Sequence, residues 1–340
     1  MTETDSVAPD ISSPISTSTD VLIVGAGPVG LYGAYCAGFR GLRTALVDAL
    51  PECGGQITAL YPEKEIRDIA AVPGARGRDV VAALKRQADA YGPTYLLGRQ
   101  AVGLAHTAAG RVRVTLSDGA AVDAGAVVVT AGIGTFSPRT LPAGEEFLGR
   151  GLSYFVPDPA VHADQDVVIV GGGDSAVDWA LALHPVARSV TLVHRRSRFR
   201  AHAASVRELY GCGATIITDA QVTALAGDVR VREAQVRVDG EDEARILKAD
   251  AVVAALGFLS DLGPIAGWGV ELDRRTIVVD SRMRTTVDRV YAAGDVAAYP
   301  GKVKLMSVGF GEAATAVNNA AVALDPALSL FPGHSTEASS

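Results

Sequence analysis

Two apolar runs in this chain each break directly into a glycine-rich turn. Asp20-Val21-Leu22-Ile23-Val24 leads into Gly25-Ala26-Gly27-Pro28-Val29-Gly30, and Val167-Val168-Ile169-Val170 into Gly171-Gly172-Gly173-Asp174-Ser175-Ala176. A short apolar run suits a strand buried on both faces of a parallel sheet. A G-x-G-x-x-G/A turn between such a strand and a helix is the fingerprint of a dinucleotide site. Two fingerprints so far apart imply two of these units, and 340 residues suffice for two domains. The fold class expected is α/β, with two Rossmann-like dinucleotide-binding domains.

In the first unit, Gly25 permits the tight turn, Gly27 lets a pyrophosphate approach the backbone, and Gly30 allows close helix–strand packing. Val29 to Gly38 then reads as a small-residue helix. The helix start offers free N–H groups and partial positive charge to phosphates. A second strand, Thr44–Val47, ends in Asp48, 23 residues after Gly25, where a carboxylate accepts hydrogen bonds from a ribose. Arg111–Leu116, Ser117-Asp118-Gly119 and Ala120–Val122 read as strand, turn and strand, and Ala126–Gly132 returns to the parallel sheet. Val290-Tyr291-Ala292-Ala293-Gly294-Asp295 comes much later, followed by a helix expected from Gly311-Glu312 to about Leu324.

The second unit differs at its second strand. Ser189–Val193 ends not in an acid but in His194-Arg195-Arg196, with Arg198 and Arg200 following. Guanidinium groups bind a 2′-phosphate through paired hydrogen bonds, whereas an acid would repel it. With Gly171, Gly173, Ser175 and Ala176 at the turn, this site is expected to take NADPH in preference to NADH. The bland alternative is a solvated basic run or an interface patch. Asp174 is expected to cap the helix rather than touch ligand.

Composition narrows the function classes. A net charge of −7 argues against nucleic acid or anionic membrane as partner, and no apolar run is long enough to span a bilayer. The first nineteen residues, rich in Ser and Thr, are expected to be a flexible tail and not a signal peptide. Three cysteines at wide spacing, Cys36, Cys53 and Cys212, fit a reducing cytoplasm. The six histidines show no zinc-site spacing, so no metal is expected, and there is no G-x-S-x-G elbow of a serine hydrolase.

Disulfide reductases with two nucleotide sites also carry a cysteine pair. Gly151–Pro159, ahead of the second fingerprint, holds no cysteine, and Cys53 in Pro51-Glu52-Cys53-Gly54-Gly55-Gln56 stands alone. A single thiol cannot form the intramolecular disulfide of that chemistry.

Longer motifs carry a more specific resemblance. Gly54-Gly55-Gln56-Ile57-Thr58-Ala59-Leu60-Tyr61-Pro62-Glu63-Lys64, then Gly171–Leu181 with His194-Arg195-Arg196, then Tyr299-Pro300-Gly301-Lys302-Val303-Lys304 occur in that order. Gly309-Phe310-Gly311-Glu312-Ala313, Ala316–Ala320 and Pro332-Gly333-His334-Ser335-Thr336 complete the set. From about Asp20 to Thr336 the chain resembles ferredoxin–NADP reductases of the thioredoxin-reductase-like type.

That resemblance implies a homodimer that binds FAD and NADPH and exchanges electrons with ferredoxin or flavodoxin. It places Asp48, Gln56, Tyr61, Val102, Phe136, Asp295 and Thr336 at the FAD, with Tyr61 stacked on one isoalloxazine face and His334 on the other. The FAD domain would comprise residues 20–136 and 287–340, and the NADPH domain 137–286. No catalytic residue is expected, because such a protein supplies binding, alignment and electrostatic tuning. Two other functions fit the same motifs: an NADPH-dependent reductase of a quinone or a separate disulfide protein, and a non-catalytic redox-sensing flavoprotein.

Overall fold

The computed structural model describes residues 16–331 and Gly333. By its contacts the chain forms two compact units. Of the described residues, the first takes 16–58, Ile66–Gly134 and those from Asp261 onward; the second takes Ala59–Glu65 and Thr135–Ser260.

The first unit is built on a seven-stranded sheet. Its order is Thr94–Leu97, Thr44–Asp48, Ser16–Val24, Ala121–Val129, Val112–Leu116 and Ala101–His106. Val290–Ala292 lies parallel to the later half of Ala121–Val129, pairing with Val127–Val129. Val21, Leu22 and Ile23 are fully buried, as a central parallel strand requires. Two expectations change here. Ser16–Thr19 is not tail: these residues extend the first strand and pair with Ala121–Ala124, and the buried Thr19 hydroxyl donates to the Arg43 carbonyl. Their Ser/Thr alternation reads as polar tail by composition, yet it suits an extended chain with a sheet partner. Likewise Ala121–Val129 is one continuous strand, antiparallel to Val112–Leu116 at its start and parallel to Ser16–Val24 throughout.

Two helices of this unit meet the nucleotide turn. Pro28–Phe39 follows the first fingerprint, with Pro28 in its first turn. Met306–Leu324 starts five residues before the expected Gly311. Three glycines or small residues near its start (Ser307, Gly309, Gly311) mask the helix in sequence. The Met306 N–H donates to Asp68 Oδ2 at 3.3 Å and the Ser307 hydroxyl to the Asp68 carbonyl at 2.6 Å, anchoring that end.

The second unit carries a five-stranded parallel sheet ordered Leu152–Ser153, Ala251–Ala254, Asp166–Val170, Ser189–Val193, Thr215–Ile217. An antiparallel three-stranded sheet, Ala220–Ala226, Glu233–Val238 and Arg245–Lys248, completes it. Strand alternation divides the core between two faces. Val168 and Val170 join Leu225, Val236 and Phe147, while Val167 and Ile169 join Trp179, Leu183 and Leu209.

The chain rejoins the first unit at Asp261, earlier than the 287 expected. Leu272–Asp273 and Thr276–Val278 form a small sheet with Ala297–Ala298, which fixes residues 262–286 in the first unit. These strands are only two or three residues long, too short to show an apolar period.

Candidate functional site: two glycine turns and their flanking strands

The three glycines of the first turn are needed for different reasons. Gly25 has φ +114°, and a Cβ there would sit 2.6 Å from the Thr130 carbonyl oxygen. A Cβ on Gly30 would lie 1.9 Å from the Gly25 oxygen. Gly27 is unlike both: its φ of −71° suits any residue, and a Cβ would meet nothing nearer than Gly55 Cα at 4.0 Å. No fold constraint demands glycine at 27. What the missing side chain provides is bare backbone at the start of Pro28–Phe39, a helix that no side chain caps. Uncapped amides in the first turn and a naked approach are what a pyrophosphate requires.

The strand end and a second loop close around this turn. Asp48 terminates Thr44–Asp48; its Oδ2 accepts from the Ala26 N–H at 2.6 Å and its Oδ1 from the Leu50 N–H at 2.8 Å. Burial raises the Asp48 pKa, and the two amide hydrogen bonds oppose that rise. With two hydrogen bonds made, the carboxylate keeps lone pairs for hydroxyl donors such as a ribose. The Gly54 N–H donates to the Ala26 carbonyl at 2.9 Å, and Gly55 comes close enough that its Cβ would be 3.2 Å from Gly27 Cα. Gln56 comes next, half-buried, its side-chain amide without a hydrogen bond among the described residues. The Asp295 carboxylate, in the turn after Val290–Ala292, is likewise half-buried and unpartnered among them. Unspent polar groups flanking bare backbone fit a dinucleotide.

Other residues expected at this site fall in several places. Val102 stands at a bulge, where the pairing with Val112–Leu116 slips between Ala101 and Gly103. A bulge re-aims a side chain relative to its strand. Phe136 belongs to the strand Thr135–Pro138, in the second unit. Tyr61 is also in the second unit, half-buried against the cluster that contains Val156 and Trp179. Lys64 lies over the Tyr61 ring, 5.4 Å from its centroid, and pairs with Asp178 at 2.5 Å. His334 and Thr336 lie outside the described residues.

The second turn repeats the first with different supports. Gly171 is sterically required, since a Cβ would lie 2.4 Å from the Ala255 oxygen and 2.8 Å from the fully buried Ala176 Cβ. Gly173, like Gly27, has an ordinary φ of −95° and nothing within 4 Å of a Cβ. It precedes another helix without a side-chain cap, Asp174–Leu183, with Ser175 exposed in the first turn. Asp174 does not cap that helix: its Oδ1 accepts from the His202 N–H at 2.8 Å, because as the first helical residue it faces the following loop.

That loop carries the arginines. The buried His194 ring lies against Gly172, whose Cβ would fall 2.1 Å from it, and Nε2 donates to the Arg198 carbonyl at 3.1 Å. The Arg200 N–H donates to the Gly172 carbonyl at 2.8 Å. Arg195, Arg196, Arg198 and Arg200 are all exposed, and none has an acidic partner among the described residues. In an acidic chain, four exposed guanidinium groups without acidic partners beside this turn have the charge and geometry to attract an anion.

All three cysteines are free thiols, and burial pushes Cys36 up to about 12 and raises Cys53 as well, so neither is a ready nucleophile. Among the described residues no group of His, Cys, Asp and Glu could hold a metal, and no helix is long and apolar enough to cross a membrane.

Fold and turns together define the class: a protein with two dinucleotide-binding domains, of thioredoxin-reductase-like architecture. The profile of the pyridine nucleotide-disulphide oxidoreductase family matches residues 19–320. A ferredoxin–NADP reductase of Saccharopolyspora erythraea is 61% identical over 95% of this chain and 99% of its own length. One from Thermus thermophilus is 47% identical over 94% and 97%. Among solved structures, T. acidophilum thioredoxin reductase has a TM-score of 0.78 at 27% identity, covering 90% of this chain and 97% of its own. The chain belongs to the pyridine nucleotide-disulphide oxidoreductase family, among its ferredoxin–NADP reductases.

Proposed function

We propose that this protein is a FAD-dependent ferredoxin–NADP reductase that moves electrons between NADPH and ferredoxin or flavodoxin without a redox-active disulfide, as a cytoplasmic homodimer. One observation carries the reading: two bare, uncapped glycine turns, one flanked by a half-buried, hydrogen-bonded acid and the other by unpaired arginines, in a chain whose cysteines are all free. Relatives bearing that name, similar over nearly their whole length, support it.

In this reading Gly25, Gly27, Pro28 and Gly30 hold the FAD pyrophosphate, and Asp48 holds a ribose. Gln56, Val102, Phe136 and Asp295 line the flavin side, with Tyr61, His334 and Thr336 completing it. Gly171, Gly173, Ser175 and Ala176 receive the NADPH pyrophosphate, and Arg195 and Arg196 the 2′-phosphate. Bound FAD supplies the chemistry, accepting electrons as a pair and passing them on singly. The chain's own work is to hold, align and shield.

The test is direct. NADPH should bleach the bound flavin rapidly, and cytochrome reduction should follow only when ferredoxin is added. A variant with Cys36, Cys53 and Cys212 all changed to Ser should keep that turnover. Flavin reduction without turnover on any acceptor would replace the reading with a redox sensor, and turnover on a quinone alone with a quinone reductase. Sedimentation of the holoprotein as a monomer would remove the dimer.

A further inference from the structure

The first unit contains a buried ion pair outside the two glycine turns. Lys302 and Glu312 have side chains only 8% and 5% exposed, and the Lys302 ammonium bonds both carboxylate oxygens of Glu312, the Oε2 contact at 2.6 Å. Taking two charges out of water is costly unless every remaining lone pair is met. Here they are met: the Tyr299 hydroxyl donates to Oε1 at 2.5 Å and the Gly294 N–H to Oε2 at 2.7 Å. Burial and the adjacent carboxylate push the Tyr299 phenol up to about 12, so it stays a donor.

The Gly294 contact gives this cluster a direction. Gly294 has φ +81° and starts the turn whose next residue is the unpartnered Asp295. Glu312 reaches it because the helix Met306–Leu324 comes in tightly one turn earlier. A Cβ on Gly309 would lie 2.6 Å from Val29 and 3.3 Å from Gly294 Cα. Val29, in turn, sits in the first turn of the helix after the first fingerprint. The buried carboxylate therefore ties the Gly294 peptide to a helix that also braces the pyrophosphate turn.

We propose that Glu312 is a positioning residue for FAD: with Lys302 as its counter-charge and Tyr299 as second donor, it fixes the Gly294 peptide and so the place from which Asp295 meets the ribityl–phosphate region. This rests on the reading of Asp295 as a FAD ligand. Tyr299, Lys302 and Glu312 thus share one task.

Apoprotein of Glu312→Gln, reconstituted with FAD, should bind it about tenfold more weakly, the scale of one charge-assisted hydrogen bond. Its flavin absorption bands should shift, while NADP⁺ affinity stays at the wild-type value. Asp295→Ala should weaken FAD binding too, and the double variant should be no worse than the poorer single one, because both act on one contact. Wild-type FAD affinity and spectrum in Glu312→Gln, with only the melting temperature lowered, would overturn the proposal, as would additive losses in the double variant. Should Glu312→Gln fail to fold, Tyr299→Phe decides: weaker FAD binding supports the role and unchanged affinity and spectrum refute it. Wild-type FAD affinity in Asp295→Ala would instead sink the underlying reading of Asp295, whatever Glu312 does.

Discussion

The two glycine turns share a sequence pattern but are held in opposite ways. In the first unit the strand-end acid is half-buried and hydrogen-bonded into the turn itself, through Asp48 and the Ala26 amide. A second glycine pair, Gly54-Gly55, closes over the same backbone. In the second unit the strand end turns a buried imidazole under Gly172 and leaves its charges exposed on a loop. An enclosing cradle suits a cofactor that stays, and an open one with exposed charge suits a nucleotide that comes and goes. The same fingerprint is thus framed differently in the two units, and the difference lies in the residues at and just past each second strand.

The largest effects should come from the paired open glycines. Gly27→Val and Gly173→Val each place a side chain where the fold has room, so both proteins should fold with stability changed by less than about 1 kcal/mol. Gly27→Val should abolish FAD retention and leave NADP⁺ binding intact; Gly173→Val should do the reverse. Flavin content by absorbance and NADP⁺ titration by calorimetry check both, and loss of both ligands in either variant would mean that the two cradles are not independent.

Next in size is the charge on the open loop. Replacing Arg195 and Arg196 by Ala should raise KM for NADPH by about ten- to a hundredfold, given roughly 1.5–3 kcal/mol per charged hydrogen bond. KM for NADH should change little. Equal effects on both coenzymes would return these arginines to a surface patch.

A smaller effect should come from the post beneath that loop. Gly172→Ala drives a Cβ into the His194 ring, displacing the loop and raising KM for NADPH while flavin content stays normal. Adding His194→Ala should recover part of the loss by removing the clash. Failure of the second change to help would mean that the ring does not set the loop.

The smallest is an acid response confined to the second unit. Asp166 is held at about 2, below the ordinary 3.8, first by its hydrogen bond to Lys248 and then by Ser189 and Arg188. Because the folded value is depressed, its contribution is complete above the unfolded value and disappears as pH falls through the folded one. The melting-temperature gap between wild type and Asp166→Asn should therefore hold from pH 7 to 5 and shrink between about pH 4 and 2. Lys248 and Arg188 are largely exposed, so the gap should be modest and salt-sensitive. A gap independent of pH would mean that the lost contact is the neutral one to Ser189.

Much of this was readable from residues alone. Strand, turn, helix and strand-end acid or arginine obey local rules, so both fingerprints, Asp48 and the arginine loop could be found by spacing. Contacts across long separations could not. Nothing in the sequence says that Gly172 is glycine because of a ring 22 positions later, that Asp174 turns to His202, or that Lys302 and Glu312 are buried together. A glutamate amid Gly309, Ala313, Ala316 and Val317, all buried, was the available signal for the last. Tyr61 shows the same limit: its motif adjoins Gln56, but its ring packs with the other unit.

The discontinuity of the first unit sets an order on its assembly at the ribosome. Residues 135–260 leave as an uninterrupted stretch, needing only the earlier Ala59–Glu65 to complete the second unit. The first unit has to wait for Val290–Ala292 to close its sheet and for Leu324, packed on Gly125, to seat the end of its last helix. Until then Val127–Val129 keeps an unpaired edge on one side, so the earliest part of the chain to be made is among the last to be finished.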